Sequence, residues 1–236
     1  MSVSNQAHTV KSGSSQKMLK AMVGIGVVCA LLIVLTFEGT LPRITKNKAE
    51  ALEKAIFNVL PGMARKQTYQ LGRNNKFMEI HGEAEKEQLV YAGYDENDRL
   101  VGIAVAASGM GFADVLRVLY GYDPYKQRIV GFYVLESKET PGLGDKIEKD
   151  PDFLANFDGL DVSLVDDHSL LKNQVIPVKH GTKENPWEVD GITGATISSR
   201  AIGNIIGAST EWLVPLMYSN LATFEIKIGE SEKANE

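Results

Sequence analysis

The sequence predicts an α+β domain, an antiparallel sheet with packed helices, behind one N-terminal apolar helix. Three observations carry this reading. A run free of charged residues extends from Ala21 to Phe37. Two strand pairs meet at tight polar turns: residues 88–94 with 99–107 around Asp95-Glu96-Asn97-Asp98, and "ADVLRVLYGYD" with "RIVGFYVLES" around Asp123-Pro124. A long amphipathic pattern then runs through Ile197, Ala201, Ile202, Ile205, Ile206 and Ala208 to Trp212 and Leu213. Strand pairs followed by a helix, instead of strict alternation, give the α+β order.

With Met18 and Leu19 included and Lys20 snorkelling, the apolar run covers about 20 residues, roughly 30 Å as a helix, enough to cross a bilayer. Thr36-Phe37-Glu38 is a poor cleavage site, so the run reads as an uncleaved signal anchor. A buried core helix is excluded because every face is apolar. Lys11, Lys17 and Lys20 precede the span and Arg43, Lys46 and Lys48 follow it, so the positive-inside rule sets no orientation. The short, acid-free leading tail favours leaving that tail in the cytoplasm and the large domain outside. The expected organisation is a cytoplasmic tail over 1–17, a transmembrane anchor over 18–37, a linker over 38–48, a folded domain over 49–225 and a C-terminal tail over 226–236.

The net charge of −5 over 236 residues is unevenly spread: residues 1–48 carry +5 and the remainder −10. An acidic folded part argues against a nucleic-acid partner, and a basic N-terminal part points to a membrane. Cys29, the only cysteine, lies inside the apolar run, so a disulfide framework, a thiolate metal site and a cysteine-ligated iron–sulfur cluster are all excluded. His8, His81, His168 and His180 have no ligand spacing, and no metal site is expected.

Within the folded part, "NKAEALEKAIFNVLPG" places Leu52, Ile56, Val59 and Leu60 at helical spacing, with Pro61-Gly62 as the stop. "SGMGF" (108–112) lacks the third glycine and the helix of a dinucleotide fingerprint, and reads as a tight turn between strands. In "ESKETPGLGDKI" (136–147), Thr140-Pro141-Gly142-Leu143-Gly144 excludes regular structure; it is either a turn or a loop whose backbone approaches a flat ligand. Residues 151–180 read as a short helix, a loop and a strand, and Phe224, Ile226 and Ile228 as a final strand.

No nucleophile elbow, zincin motif or phosphate-binding loop is present, and no catalytic residue is assigned. The chemistry-bearing stretch is "DGITGAT" (190–196) in front of the long helix. A threonine there stands among unpaired backbone N–H groups at the positive end of a helix dipole, where an anion is stabilised. Two readings stay open on these residues alone: Thr196 or Ser198 caps the helix, or Thr196 carries a phosphate.

"DGITGAT" resembles the flavinylation motif of proteins that carry FMN through a phosphoester on the final threonine, and every position of the motif is met. "KETPGLGDKI" resembles the second signature of the FMN-binding domain family. With one N-terminal span and "ISSRAI" following, the chain is similar to the G subunits of Rnf electron-transport complexes. It is more distantly similar to the C subunits of sodium-translocating NADH:quinone reductases.

The resemblance implies FMN joined covalently to Thr196, installed from FAD by a separate flavin transferase, with Gly194 and Ala195 giving room to the phosphate. Asp190 and Thr193 would belong to the signal the transferase reads. Glu139 and Thr140 would supply polar contacts to the isoalloxazine, Leu143 an apolar one, and Gly142 and Gly144 the loop shape, with Ser108 to Gly111 closing the other side. The family implies an electron relay on the periplasmic face of the bacterial inner membrane. Its partners are further membrane and peripheral subunits, and its complex couples electron transfer between ferredoxin and NAD to movement of sodium ions or protons. The alternatives are a membrane-anchored assembly module without flavin, a protein like the C subunits of the quinone reductase, and an extracytoplasmic flavin enzyme with its own small acceptor.

Overall fold

The computed structural model describes residues 12–80 and 88–225, and the chain divides into two compact units, Met1–Glu50 and Ala51–Glu236. The start of the expected cytoplasmic tail and the residues of the expected C-terminal tail lie outside the described residues.

The first helix, α1 (Ser12–Val59), is unbroken. Among the described residues it is the one helix long and apolar enough to cross a membrane, and its apolar side chains from Met18 to Phe37 are exposed on every face. An all-round apolar surface suits hydrocarbon and not water. Residues 38–48, expected as a linker, are helical instead. The only breakers there are Gly39 and Pro42, and Pro42 removes a single backbone donor. Thr40 and Thr45 return hydroxyl bonds to the carbonyls of Thr36 (2.8 Å) and Leu41 (3.0 Å), and Lys46 pairs with Glu50 one turn on.

The second unit is built on a seven-stranded, fully antiparallel sheet of order β2-β1-β3-β4-β5-β6-β7. The strands are β1 (Arg65–Leu71), β2 (Phe77–Glu79), β3 (Leu89–Tyr94), β4 (Leu100–Met110), β5 (Val115–Asp123), β6 (Arg128–Glu136) and β7 (Leu160–Asp161). The two strand pairs expected from sequence are β3–β4 and β5–β6. Strands β1 and β2 are not expected from sequence, because "RKQTYQL" lacks apolar alternation; its ladder with β3, from Arg65 opposite Tyr94 to Gln70 opposite Leu89, supplies the pairing. A short parallel ribbon joins β8 (Ile176–Val178) to β9 (Glu188–Asp190).

The helices are α2 (Pro151–Leu154), α3 (Thr196–Ser219) and α4 (Leu221–Phe224). Asp150 caps α2 by accepting from the amides of Asp152 and Phe153, both at 3.1 Å. Phe224, expected in a strand, is in α4; its ring packs edge-on against Tyr69 at 4.9 Å, and its carbonyl accepts from Tyr94 Oη at 2.8 Å. Ile226 and Ile228 lie outside the described residues.

The pleat sorts side chains to two cores. Val90, Val105, Val118 and Tyr120 face Ile202, Ile206 and Leu213 of α3, whereas Tyr91, Ala104 and Leu119 face Ala55, Ile56 and Val59 at the end of α1 and Leu60 just after it. Each such fully buried aliphatic side chain contributes roughly 1.5–3 kcal/mol. The end of α1 lies close because glycines meet it: Gly93 is opposite Gly102 and Gly121 opposite Gly131, one on each of four adjacent strands. A Cβ on Gly131 would stand 2.6 Å from Val59 Cα, and one on Gly102 2.8 Å from a Leu60 methyl.

Candidate functional site

Two turns of the same type line one cavity. In Thr140–Leu143 the Leu143 amide donates to the Thr140 carbonyl at 3.1 Å, with Pro141 second and Gly142 third at φ +80°. In Ile192–Ala195 the Ala195 amide donates to the Ile192 carbonyl at 3.1 Å, with Gly194 third at φ +84°. A positive φ at the third residue is the type II signature and selects glycine. The cavity between these segments measures about 310 Å³, near the lower end of the ~300–1,000 Å³ typical of small-molecule sites.

Seven of the expected residues line this cavity: Glu139, Thr140, Leu143 and Gly144 from one segment, Gly194, Ala195 and Thr196 from the other. Phe112, Ile197 and Ser198 complete it. Phe112, Leu143 and Ile197 are each more than half exposed, so the mouth is apolar. Gly142, at the apex of its turn, does not line the cavity. Ser108 lines an adjoining cavity of about 450 Å³ that shares Thr196 and Ile197 with the first and includes Arg200.

Thr196 is the first residue of α3, and Ala195 precedes it at φ −130°, ψ 34°, with no side-chain cap on the helix. Neither hydroxyl read as a cap serves as one. Ser198 Oγ donates to Glu139 Oε2 at 2.5 Å. The Thr196 hydroxyl is exposed and has no hydrogen-bond partner among the described residues. The turn is braced instead by Ser199, whose Oγ accepts from the Ile192 amide at 3.1 Å and donates to the Thr196 carbonyl at 3.3 Å.

Glu139 departs from its expected part. It is 6% exposed, and its Oε1 accepts from the amides of Phe112 (2.8 Å) and Ala113 (3.1 Å) while Oε2 takes the Ser198 bond. Its carboxylate is thus occupied by the protein.

Asp190 and Thr193 stand outside the cavity lining. Asp190, the last residue of β9, accepts from the Gly181 amide through both carboxylate oxygens, at 2.9 and 3.0 Å. His180 Nδ1 lies 3.6 Å from Asp190 Oδ2 and 3.0 Å from the Gly191 carbonyl. Buried Asn156 fixes the Asp190 backbone, accepting from its amide at 2.9 Å and donating to its carbonyl at 3.2 Å, and accepts from Lys183 Nζ at 3.0 Å. Thr193 is exposed on the turn.

The sequence reading misses Phe112, Ile197, Ser198 and Arg200. Arg200 has a usable signal, since four residues past Thr196 is one helical turn along the same face. Ile197 reads as core in the helical pattern, but it points to the cavity mouth.

Comparison with known proteins gives matches of three kinds. A family model described as an FMN-binding domain matches residues 111–210. The chain is 29% identical to the G subunit of the ion-translocating oxidoreductase complex of Methanosarcina acetivorans, over 84% of this chain and 93% of that one. It is 30% identical to the protein of the same name from Cronobacter sakazakii, over 80% and 88%. Among solved structures, NqrC of Shewanella oneidensis superposes with a TM-score of 0.59 at 17% identity, covering 76% of this chain and 98% of that one. The C subunit of the Na(+)-translocating NADH-quinone reductase of Parabacteroides distasonis superposes with a TM-score of 0.56 at 21% identity, covering 74% and 96%. At these identities the two structures establish the fold.

Proposed function

Because the chain belongs to the family of G subunits of ion-translocating oxidoreductase complexes, we propose that it relays electrons through FMN bound covalently at Thr196. The observation that carries this reading is the free Thr196 hydroxyl at the start of α3, opening on an apolar cavity between two type II turns.

The residues present fit the group. Phe112, Leu143 and Ile197 offer apolar surface to a flat ring, and Thr196 offers an ester oxygen at the edge of the same cavity. The orphan N–H groups of the first turn of α3 and its dipole favour a phosphate there. Arg200, lining the adjoining cavity with Thr196, places a cation one helical turn away. When bound, FMN supplies one- and two-electron transfer, and the protein's part is to hold and tune it. Gly194 at positive φ turns the chain so that Thr196 projects, and the Ser199 bonds hold that turn.

A lone threonine hydroxyl is a weak nucleophile, so attachment requires an external flavin transferase. Asp190 and exposed Thr193 form part of what that enzyme reads; Asn156 and the Gly181 amide keep Asp190 in a fixed place. In this reading α1 holds the domain at the cytoplasmic membrane, on its periplasmic face, beside the other subunits of an Rnf-type complex. That complex passes electrons between ferredoxin and NAD and moves sodium ions or protons.

Intact-mass measurement of the chain expressed with its transferase, followed by location of the modified peptide, tests the assignment. An added FMN mass less one water is expected on the peptide containing Thr196, and none in Thr196→Ala. An unmodified wild-type peptide overturns it.

A further inference from the structure

Glu139 is the one acidic side chain that lines the cavity, and it makes no use of the cavity for its own hydrogen bonds. Its carboxylate joins three separate pieces of chain: the turn after β4 through the Phe112 and Ala113 amides, its own loop before the 144–148 helical turn, and α3 through Ser198. Those same pieces supply Phe112, Leu143 and Ile197, the three apolar side chains at the cavity mouth. The carboxylate therefore sets the spacing of the walls.

Two glycines make room for this group. A Cβ on Gly144 would stand 2.5 Å from Glu139 Oε2 and 2.9 Å from Ser198 Oγ, and a Cβ on Gly111 would overlap Glu139 Oε1. The carboxylate thus accounts for the last glycine of "TPGLG". A carboxyl group for which two positions are kept empty of side chain, and which takes two backbone N–H bonds and one hydroxyl bond, is built into the wall.

Resting on the reading of FMN at Thr196, we infer that Glu139 is a positioning residue that also sets the flavin's midpoint potential. Its charge opposes the arrival of electrons on a ring held in the cavity, and Ser198 moderates that charge by donating to Oε2. A fixed charge in a water-poor site acts more strongly than the same charge in solvent. The potential is then lower than the apolar walls alone would give.

The two partners make opposite predictions. Glu139→Gln keeps the shape and an acceptor for the Phe112 and Ala113 amides but removes the charge, so the midpoint potential rises. Ser198→Ala keeps the charge and removes its donor, so the potential falls. Loosening of the walls would move both variants in the same direction.

The measurement is a redox titration of the full chain, wild type and both variants, purified after co-expression with the transferase. All three proteins are titrated at the same pH. Covalent flavin is scored in parallel by fluorescence in a denaturing gel. Shifts of opposite sign with flavin retained support the inference. Shifts of the same sign, or none, with flavin retained overturn it alone. A dark wild-type band overturns the flavin assignment and this inference with it.

Discussion

Val59 rests on Gly131 with only 2.6 Å between its Cα and the point where a glycine-to-alanine change would place a methyl carbon. Gly121, opposite Gly131 in the β5–β6 ladder, meets the Val59 carbonyl more closely still. Backbone cannot swing aside as a side chain can, so Gly121→Ala is expected to lower stability by about 3 kcal/mol. Denaturant titration of the full chain measures this. A change below about 1 kcal/mol would show that the end of α1 shifts freely over the sheet.

Tyr94 and Tyr122 are both fully buried, yet their hydroxyls differ. Tyr94 Oη donates to the Phe224 carbonyl at 2.8 Å and meets Tyr69 Oη at 3.0 Å, whereas Tyr122 Oη has no hydrogen-bond partner among the described residues. Tyr94→Phe leaves a carbonyl unsatisfied and is expected to cost about 1–3 kcal/mol; Tyr122→Phe is expected to be neutral or slightly stabilising. Paired thermal melts decide, and equal losses would contradict the distinction.

Stability should decline at both ends of the pH scale. Burial pushes the hydroxyls of Tyr94 and Tyr120 above the ordinary tyrosine range, and burial followed by a bond to Glu225 raises Tyr125 to about 12. A pKa raised in the native state means the contribution is intact below the unfolded-chain value of about 10 and is lost as pH climbs through the native values. Glu188 runs the other way. The Asn185 side chain and the Glu184 and Asn185 amides hold its carboxyl below the usual value, so its contribution is present above about pH 4.3 and is lost as pH falls through the native value. Melting temperatures across the range should form a plateau that breaks above about pH 10; a flat profile to pH 12 would refute the alkaline half.

Asp190→Asn retains an acceptor for the Gly181 amide and should leave stability within about 1 kcal/mol of wild type. On the proposal that its charge is part of the signal the transferase reads, flavin loading is nevertheless expected to fall at least tenfold. Gel fluorescence against melting temperature separates the two effects. Normal loading would remove Asp190 from that signal.

Arg200→Glu reverses the charge one turn beyond Thr196 and should reduce flavin loading, whereas Arg200→Lys should keep most of it. Equal loading in both would mean that the adjoining cavity takes no part in holding the phosphate.

Much of this architecture is legible because local chemistry and tertiary demand coincide. The strands β3 to β6 alternate between their two cores except where the ladders shift register at Gly93/Tyr94 and Gly121/Tyr122, and the apolar run of α1 is readable by length alone. Thr140-Pro141-Gly142-Leu143 and Ile192 to Ala195 carry their turn type in their residues. What escapes notice depends on partners distant in sequence. Strand β1 is a strand because β3 pairs with it, and Phe224 is placed by Tyr94, 130 residues away. The bond from Ser198 to Glu139 spans 59 residues, so no local pattern distinguishes that serine from a helix cap.

The brace of Ser199 and Asn156 around residues 190–196 has a further consequence for how the chain matures. With β9, the turn and α3 together, Thr196 is held on the outside in a fixed frame. A modifying enzyme that recognises this arrangement inspects conformation as well as sequence. Under the proposed attachment of FMN at Thr196, an enzyme that requires this frame loads folded chains in preference to unfolded ones, and the covalent bond then records that the domain has folded.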